Sequence, residues 1–225
     1  MKTPFLRAVL TIVRKDLRAE LRSRELISSM GLFAFMSIII FSFALELERA
    51  AREEAITGVL WVSIVFASTI GLNRSMAMER EQGNFDAMLI APVDRTAIFF
   101  GKFIGNLVFA LVVGLILLPV MTFLYNISLL QPLLLVVLLL GTLGFSAVGT
   151  LLSAMTVQTR ARESLLPIVM MPVALPVLLA SVKSSTSILN QTPVNDWIAW
   201  LQILIVVDIV YIVMSFLLFE YVVEE

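Results

Sequence analysis

With no cysteine and no histidine, the chain lacks the side chains most often used for chemistry. Disulfides, thiolate nucleophiles, thiolate–imidazole zinc sites and His-ligated haem are excluded within it. So are His-based acid–base work and every Ser-His-Asp or Cys-His triad. Carboxylates and cations remain, and they are most ordered between Glu79 and Lys102. There Glu79-Arg80-Glu81 alternates in sign, Asp86 follows, Gly83 and Pro92 punctuate the run, and Gly101-Lys102 opens the next apolar stretch. Gly101-Lys102 is not a phosphate-binding loop. That motif needs an earlier Gly with four residues before the Gly-Lys pair, and Ser or Thr after it. Thr96 and Phe103 occupy those two positions, so any ATP-driven work falls to another chain. An ordered polar pattern confined to one short loop points to contact with a soluble partner. The competing reading is a solvated loop whose charges only set topology.

The other isolated carboxylate is Asp208, between Val207 and Ile209 in the middle of an apolar run. A carboxylate at the bilayer centre costs at least about 2.5–3.5 kcal/mol on insertion scales. It must face the bundle, pair with a polar group or stay protonated. A substrate or proton site and a single structural hydrogen bond are both open, and no second acid lies nearby in sequence to form a relay.

The elements that hold these residues are membrane elements. The 225 residues are 60% hydrophobic and 15% charged, against roughly 45–50% and about 25% in soluble domains. Six apolar runs are long enough to span a bilayer: Leu26–Leu45, Ile56–Leu72, Ile98–Leu124, Leu133–Thr156, Leu165–Val182 and Trp197–Phe219. Ahead of them, residues 5–24 place Phe5, Val9, Ile12, Val13, Leu17 and Leu21 at helical spacing among arginines and lysines. That pattern predicts an amphipathic helix in the headgroup region, with no cleavable signal peptide. Lys and Arg divide thirteen to three between the two sides. The richer side holds Arg74, Arg80, Arg95, Lys102 and the N-terminal cluster, so both termini and the Glu79 loop are expected in the cytoplasm. The expected fold is all-α: one polytopic membrane domain over residues 1–225, with the interfacial helix at 5–24 and a cytoplasmic coupling loop at 73–97.

Two spans carry special residues. Span four has Gly141, Gly144, Ser146, Gly149, Thr150, Ser153 and Ala154, which allow close helix packing and are compatible with a homodimer seam. Span five has Pro167, Pro172 and Pro176, each removing a helix hydrogen bond. This predicts a bent or unwound segment, either a bent gate or re-entrant segment on the transport path or an ordinary kinked helix. The eleven Met and fifteen Phe read as packing, and Trp61, Trp197 and Trp200 as interfacial anchors.

The pattern Glu79-Arg80-Glu81-x-Gly83, Met88-Leu89, Pro92-Val93-x-Arg95, Gly101-Lys102 resembles the coupling region of ABC-2-type exporter permeases. The resemblance implies a short cytoplasmic helix, roughly Ser75 to Leu89, docking into a groove on an ABC ATPase subunit. Glu79, Glu81 and Asp86 would then offer acceptors to the partner's Arg or Lys, Met88 and Leu89 an apolar plug. Gly83 would allow a turn, and Pro92 would end the element.

Within that superfamily the chain is similar to the haem exporter protein B family, permeases of cytochrome c maturation. The similarity rests on Gly58-Val59-Leu60-Trp61-Val62, Leu140-Gly141-Thr142-Leu143-Gly144-Phe145 and Leu166-Pro167 through Pro172 to Leu175-Pro176. The tail Glu220-Tyr221-Val222-Val223-Glu224-Glu225 has no match in the family pattern. The similarity implies a transport subunit rather than an enzyme, in a bacterial plasma membrane. Two permeases would pair with two ATPases that bind ATP. Haem would sit on a second membrane subunit that presents it to a periplasmic haem chaperone, and no nucleic acid is involved. The rival readings are a permease for another cargo such as a lipid or peptide, a non-transporting membrane scaffold, and, weakest, an intramembrane enzyme.

Overall fold

The computed structural model describes residues 4–44, 49–157, 159 and 162–224, with 49–54, 86, 162, 163, 223 and 224 described through their backbone alone. The regular elements among them are eight α-helices: α1 (Phe5–Ser23), α2 (Glu25–Ala44), α3 (Arg49–Glu81), α4 (Asn84–Ile90), α5 (Arg95–Tyr125), α6 (Pro132–Thr156), α7 (Arg162–Leu189) and α8 (Val194–Glu224). Six contain stretches long and apolar enough to cross a membrane: all of α2, α5 and α6, most of α7 and α8, and Ala55–Glu81 of α3.

The first two helices meet at a one-residue corner. Arg24 adopts the left-handed conformation, with φ of 55°, and closes α1. The buried Glu20 carboxylate then accepts hydrogen bonds from the backbone N–H of Leu26 (3.2 Å) and Ile27 (2.8 Å). A carboxylate there satisfies two of the orphan N–H groups of α2 and complements its dipole.

Span four, α6, is the hub and packs against α3, α5, α7 and α8. Its seven small residues are all buried within this one chain. The close helix packing expected of this face is formed within the chain, because a helix without bulky side chains draws in four neighbours. The expectation for Trp61 is corrected. It is no interfacial anchor; it is 1% exposed and its indole N–H donates to Ser185 Oγ at 2.9 Å. Its ring lies over Gly141, where a β-carbon would collide with it. Trp197 is buried and Trp200 half-buried. One turn before Trp61, the Thr57 and Thr186 hydroxyls share a hydrogen bond at 2.6 Å, extending a polar seam between α3 and α7.

Span two is longer than its sequence suggests, because α3 stays helical through Arg74, Arg80 and Glu81. Span five is continuous: α7 runs from Arg162 to Leu189 with Pro167, Pro172 and Pro176 inside it. The expectation of unwinding is overturned. A membrane helix keeps its remaining hydrogen bonds where water cannot replace them, and a neighbouring helix can supply a partner near a Pro. Tyr211 of α8 does so here, donating to the Val173 carbonyl at 2.6 Å, one residue from the carbonyl that Pro176 leaves unpaired.

Candidate functional site

The ordered polar stretch lies at the end of the bundle that holds α1, the C-terminal ends of α3 and α8, and the start of α5. The expected helix from Ser75 to Leu89 is two elements. α3 carries the chain to Glu81, Gln82 and Gly83 turn it, and α4 follows. Gly83 has φ of +68°, a left-handed conformation that favours glycine. Ala91 is extended, as expected before Pro92. Asp94 then caps α5, accepting from Thr96 N at 3.2 Å and Thr96 Oγ1 at 2.9 Å.

Phe85 fixes α4 to the bundle. It is 3% exposed and enters an apolar cluster with Ile12 of α1, Met76 of α3, Phe99 and Phe103 of α5, Leu151 of α6 and Phe219 of α8. The Phe99 ring stacks on Phe103 at 6.0 Å and tilts against Phe219 at 5.3 Å. The cluster that receives this one side chain is built from five other helices.

Beside this apolar cluster lies an ionic one. Lys102, with a side chain 1% exposed, donates to Asp16 Oδ2 at 2.8 Å and Glu79 Oε1 at 2.7 Å. Lys15 donates to Glu79 Oε1 at 2.6 Å and lies 3.3 Å from Asp16 Oδ1. Two cations and two carboxylates balance, binding α1, α3 and α5 together in a low-dielectric region where an unpaired charge is costly. Glu79 Oε2 is buried and takes no hydrogen bond from the described residues. Burial alone would lower the Lys15 pKa, but the hydrogen bond to Glu79 and the charges of Asp16 and Glu79 outweigh it. The amine is held above its ordinary 10.5.

These contacts re-sort the expected docking residues. Glu79 is buried, and its carboxylate is held by Lys102 and Lys15 inside the chain. Arg80 is exposed but reaches back to the Val157 carbonyl at the end of α6. Met88 and Leu89 are half-buried against the chain's own core. Glu81, Gly83 and Pro92 are exposed, and Arg95 is half-buried. The side chain of Asp86 lies outside the described residues. The apolar residue α4 presents outward is Ile90, 85% exposed. Reading the sequence for an ordered charge pattern passed over it.

Lys102, Asp16 and Lys15 were also passed over as a unit. The signal existed: a lysine within an apolar span needs a buried partner, and Asp16 is the acidic residue among the basic ones of α1 before Glu20.

The pathway residues do not converge. Pro167 is half-buried, while Pro172 and Pro176 are exposed on the bundle's outside. Asp208 is 2% exposed on α8 and packs against Gly144 of α6. Neither carboxylate oxygen has a hydrogen-bond partner among the described residues. The single structural hydrogen bond offered as one of its two readings is thus not formed among the described residues. No group of three or more acidic, His or Cys residues suited to a metal occurs among the described residues.

Residues 7–223 match the family model described as CcmB protein. The chain is similar to proteins named Heme exporter protein B. It is 27% identical to that of Rhodobacter capsulatus over 75% of this chain and 78% of the relative. It is 24% identical to that of Pseudomonas aeruginosa over 80% and 81%, and 22% identical to that of Bradyrhizobium diazoefficiens over 81% and 82%.

Proposed function

We propose, from the premise that this chain belongs to the CcmB protein family, that it is the membrane permease subunit of an ABC transporter complex for haem export in c-type cytochrome biogenesis. The observation that carries the coupling part of this reading is α4, a discrete helix between two spans with Phe85 sunk into a five-helix cluster and Ile90 turned outward. ATP would bind and be hydrolysed on a separate ABC ATPase seated against α4. Ile90 is the apolar anchor of that contact, with Glu81 and Pro92 on its rim, because interface energy concentrates in buried apolar centres and specificity in rim charges. When the ATPases close, α4 shifts, and Phe85 passes the displacement to α5 and α8. The cycle is a population shift driven by contacts that differ between two states.

The excess of Lys and Arg at this end supports placing it, with both termini, in the cytoplasm of a bacterial inner membrane. A chain without histidine lacks the usual axial ligand for haem iron. Tight haem binding therefore belongs to a partner membrane subunit that hands haem to a periplasmic chaperone. ATP would serve to move or release that loaded complex, with two copies of this permease per assembly.

The test is affinity purification from the native membrane in mild detergent, with mass spectrometry and a haem absorbance scan. An ABC ATPase recovered with a haem-bearing membrane subunit is the expected result. An ATPase with no haem-handling subunit would favour another cargo, such as a lipid or peptide. No ATPase at all would favour a scaffold and sink the coupling reading. Ile90→Asp should lower ATPase recovery about tenfold or more, as loss of an interface anchor worth about 2 kcal/mol does. Recovery equal to that of the unmodified chain would remove α4 as the docking element.

A further inference from the structure

The packing of α1 sorts its residues onto three sides. The first lies on the bundle: Ala8, Val9, Ile12, Asp16 and Glu20 are buried, with Ile12 against Gly101 of α5 and Asp16 paired with Lys102. Val9 and Ile12, which apolar spacing assigned to the membrane, are therefore enclosed by protein. The second side is an exposed row of leucines, Leu6, Leu10 and Leu21. The third is a row of arginines. Arg14, Arg18 and Arg22 are four residues apart, so each is turned about 40° from the last, and the row runs roughly 12 Å along the helix. All three are exposed, and among the described residues none forms an ion pair. The acids of α1 supply no counter-charge, since Asp16 and Glu20 point into the bundle and are held by Lys102, Lys15 and the N–H groups of α2.

The leucines lie about 60–120° round the helix from Arg18, beside the arginines and away from the bundle. Arg22 stands just before Glu25, where the first span begins, so the row ends at the membrane surface. The rule that sets topology counts cations and does not require them to share a face. Here they share one, with apolar side chains along its edge. An acidic protein surface would pair with the arginines and leave the leucines in water. A zwitterionic headgroup would bring its own cation to a cationic row. A headgroup whose only charge is a phosphate answers the guanidiniums, whose planar fork matches phosphate oxygens, and its acyl chains cover the leucines. We propose that α1 binds anionic phospholipids of the adjoining leaflet, with Arg14, Arg18 and Arg22 on their phosphates and Leu10 and Leu21 against their chains. This binding is independent of the cargo and of any ATPase on α4.

The experiment is native mass spectrometry of the full chain released from nanodiscs of equimolar phosphatidylglycerol, phosphatidylethanolamine and phosphatidylcholine with identical acyl chains. Phosphatidylglycerol should be enriched among the retained lipids. Arg18→Gln should cut that enrichment about fivefold, the worth of one arginine at an anionic membrane surface. Arg74→Gln, which removes a cation of α3 already paired with Glu25, should change nothing. If Arg18→Gln folds poorly, the unmodified chain carries the test: high salt in the nanodisc buffer, which screens exposed charges, should erase the enrichment. An Arg18→Gln variant that retains phosphatidylglycerol like the unmodified chain, or enrichment untouched by salt, would overturn the site. Equal retention of the three lipids would overturn it too, and loss of a co-purified ATPase from Arg18→Gln in that case would give the row to a protein partner.

Discussion

Lys102 shows how a single residue changes meaning between one dimension and three. In sequence it follows Gly101 and invites comparison with a nucleotide site. In the fold it is the buried centre of an ion cluster, held by Asp16 and Glu79. Removing one partner of a buried pair strands the others, at a cost of about 3–5 kcal/mol. Lys102→Ala should therefore lower the detergent melting temperature sharply. Lys102→Met with Asp16→Leu should recover much of the loss, because Lys15 still pairs with Glu79 and no buried charge is left without a partner. Equal melting temperatures for Lys102→Ala and the unmodified chain would refute the cluster's role. The cluster also fixes a pH dependence. The Lys15 amine titrates above 10.5 when folded, so its contribution is complete below that value and is lost as pH rises through the raised one. The melting-temperature gap between unmodified chain and Lys15→Met should be flat through neutrality and close only in strong alkali. Asp208, lacking a hydrogen-bond partner among the described residues, is tested by Asp208→Asn. If that variant assembles c-type cytochromes normally, Asp208 has no obligatory proton-transfer role.

Two glycines decide how the elements meet. Gly83 turns the chain from α3 into α4 with φ of +68°, where an L-residue costs roughly 1–2 kcal/mol. Gly83→Ala should loosen α4 and reduce ATPase stimulation by this chain while leaving the six spans intact. At Gly101 a β-carbon would lie 2.7 Å from Ile12 Cβ, an atom fixed to the α1 backbone. Gly101→Val should thus lift α1 off α5. Spin labels at Arg14→Cys and Ala87→Cys, placed in a chain with no native cysteine, should report a longer, broader distance in Gly101→Val. An unchanged distribution would show that α1 is not seated by this contact. The α1 pattern in sequence predicted an apolar face. The packed face also contains Asp16 and Glu20, which no apolar-face count would select, because Asp16 meets Lys102 of α5 and Glu20 meets the first N–H groups of α2.

For the whole molecule, the uneven division of Lys and Arg sets a testable orientation. A thiol introduced at Lys183 should react with a membrane-impermeant reagent from the periplasmic side of intact cells, and one at Ala87 only after permeabilisation. The reverse pattern would invert the assignment of cytoplasmic and periplasmic ends. The outward faces of α2 and α8, with Leu32, Phe35 and Met36 on one and Val206, Ile209 and Val210 on the other, are apolar and suited to lipid. By contrast, the small-residue face of α6 is enclosed by its neighbours. The close packing that sequence predicted for it is formed within one copy.

The sequence by itself determined the number of spans, their helical nature and the place of the polar loop. Each follows from local composition and from the bilayer's demand that backbone groups be satisfied within a segment. It also placed the turn at Gly83 and the break at Pro92, since φ preferences are local. Only the tertiary structure decided which charges face inward. Glu79 and Glu81 are two residues apart, and nothing in their neighbours along the chain distinguishes them. One meets Lys102 and the other does not, because Lys102 lies 23 residues away on α5 and is brought there by the packing of α5 against α3.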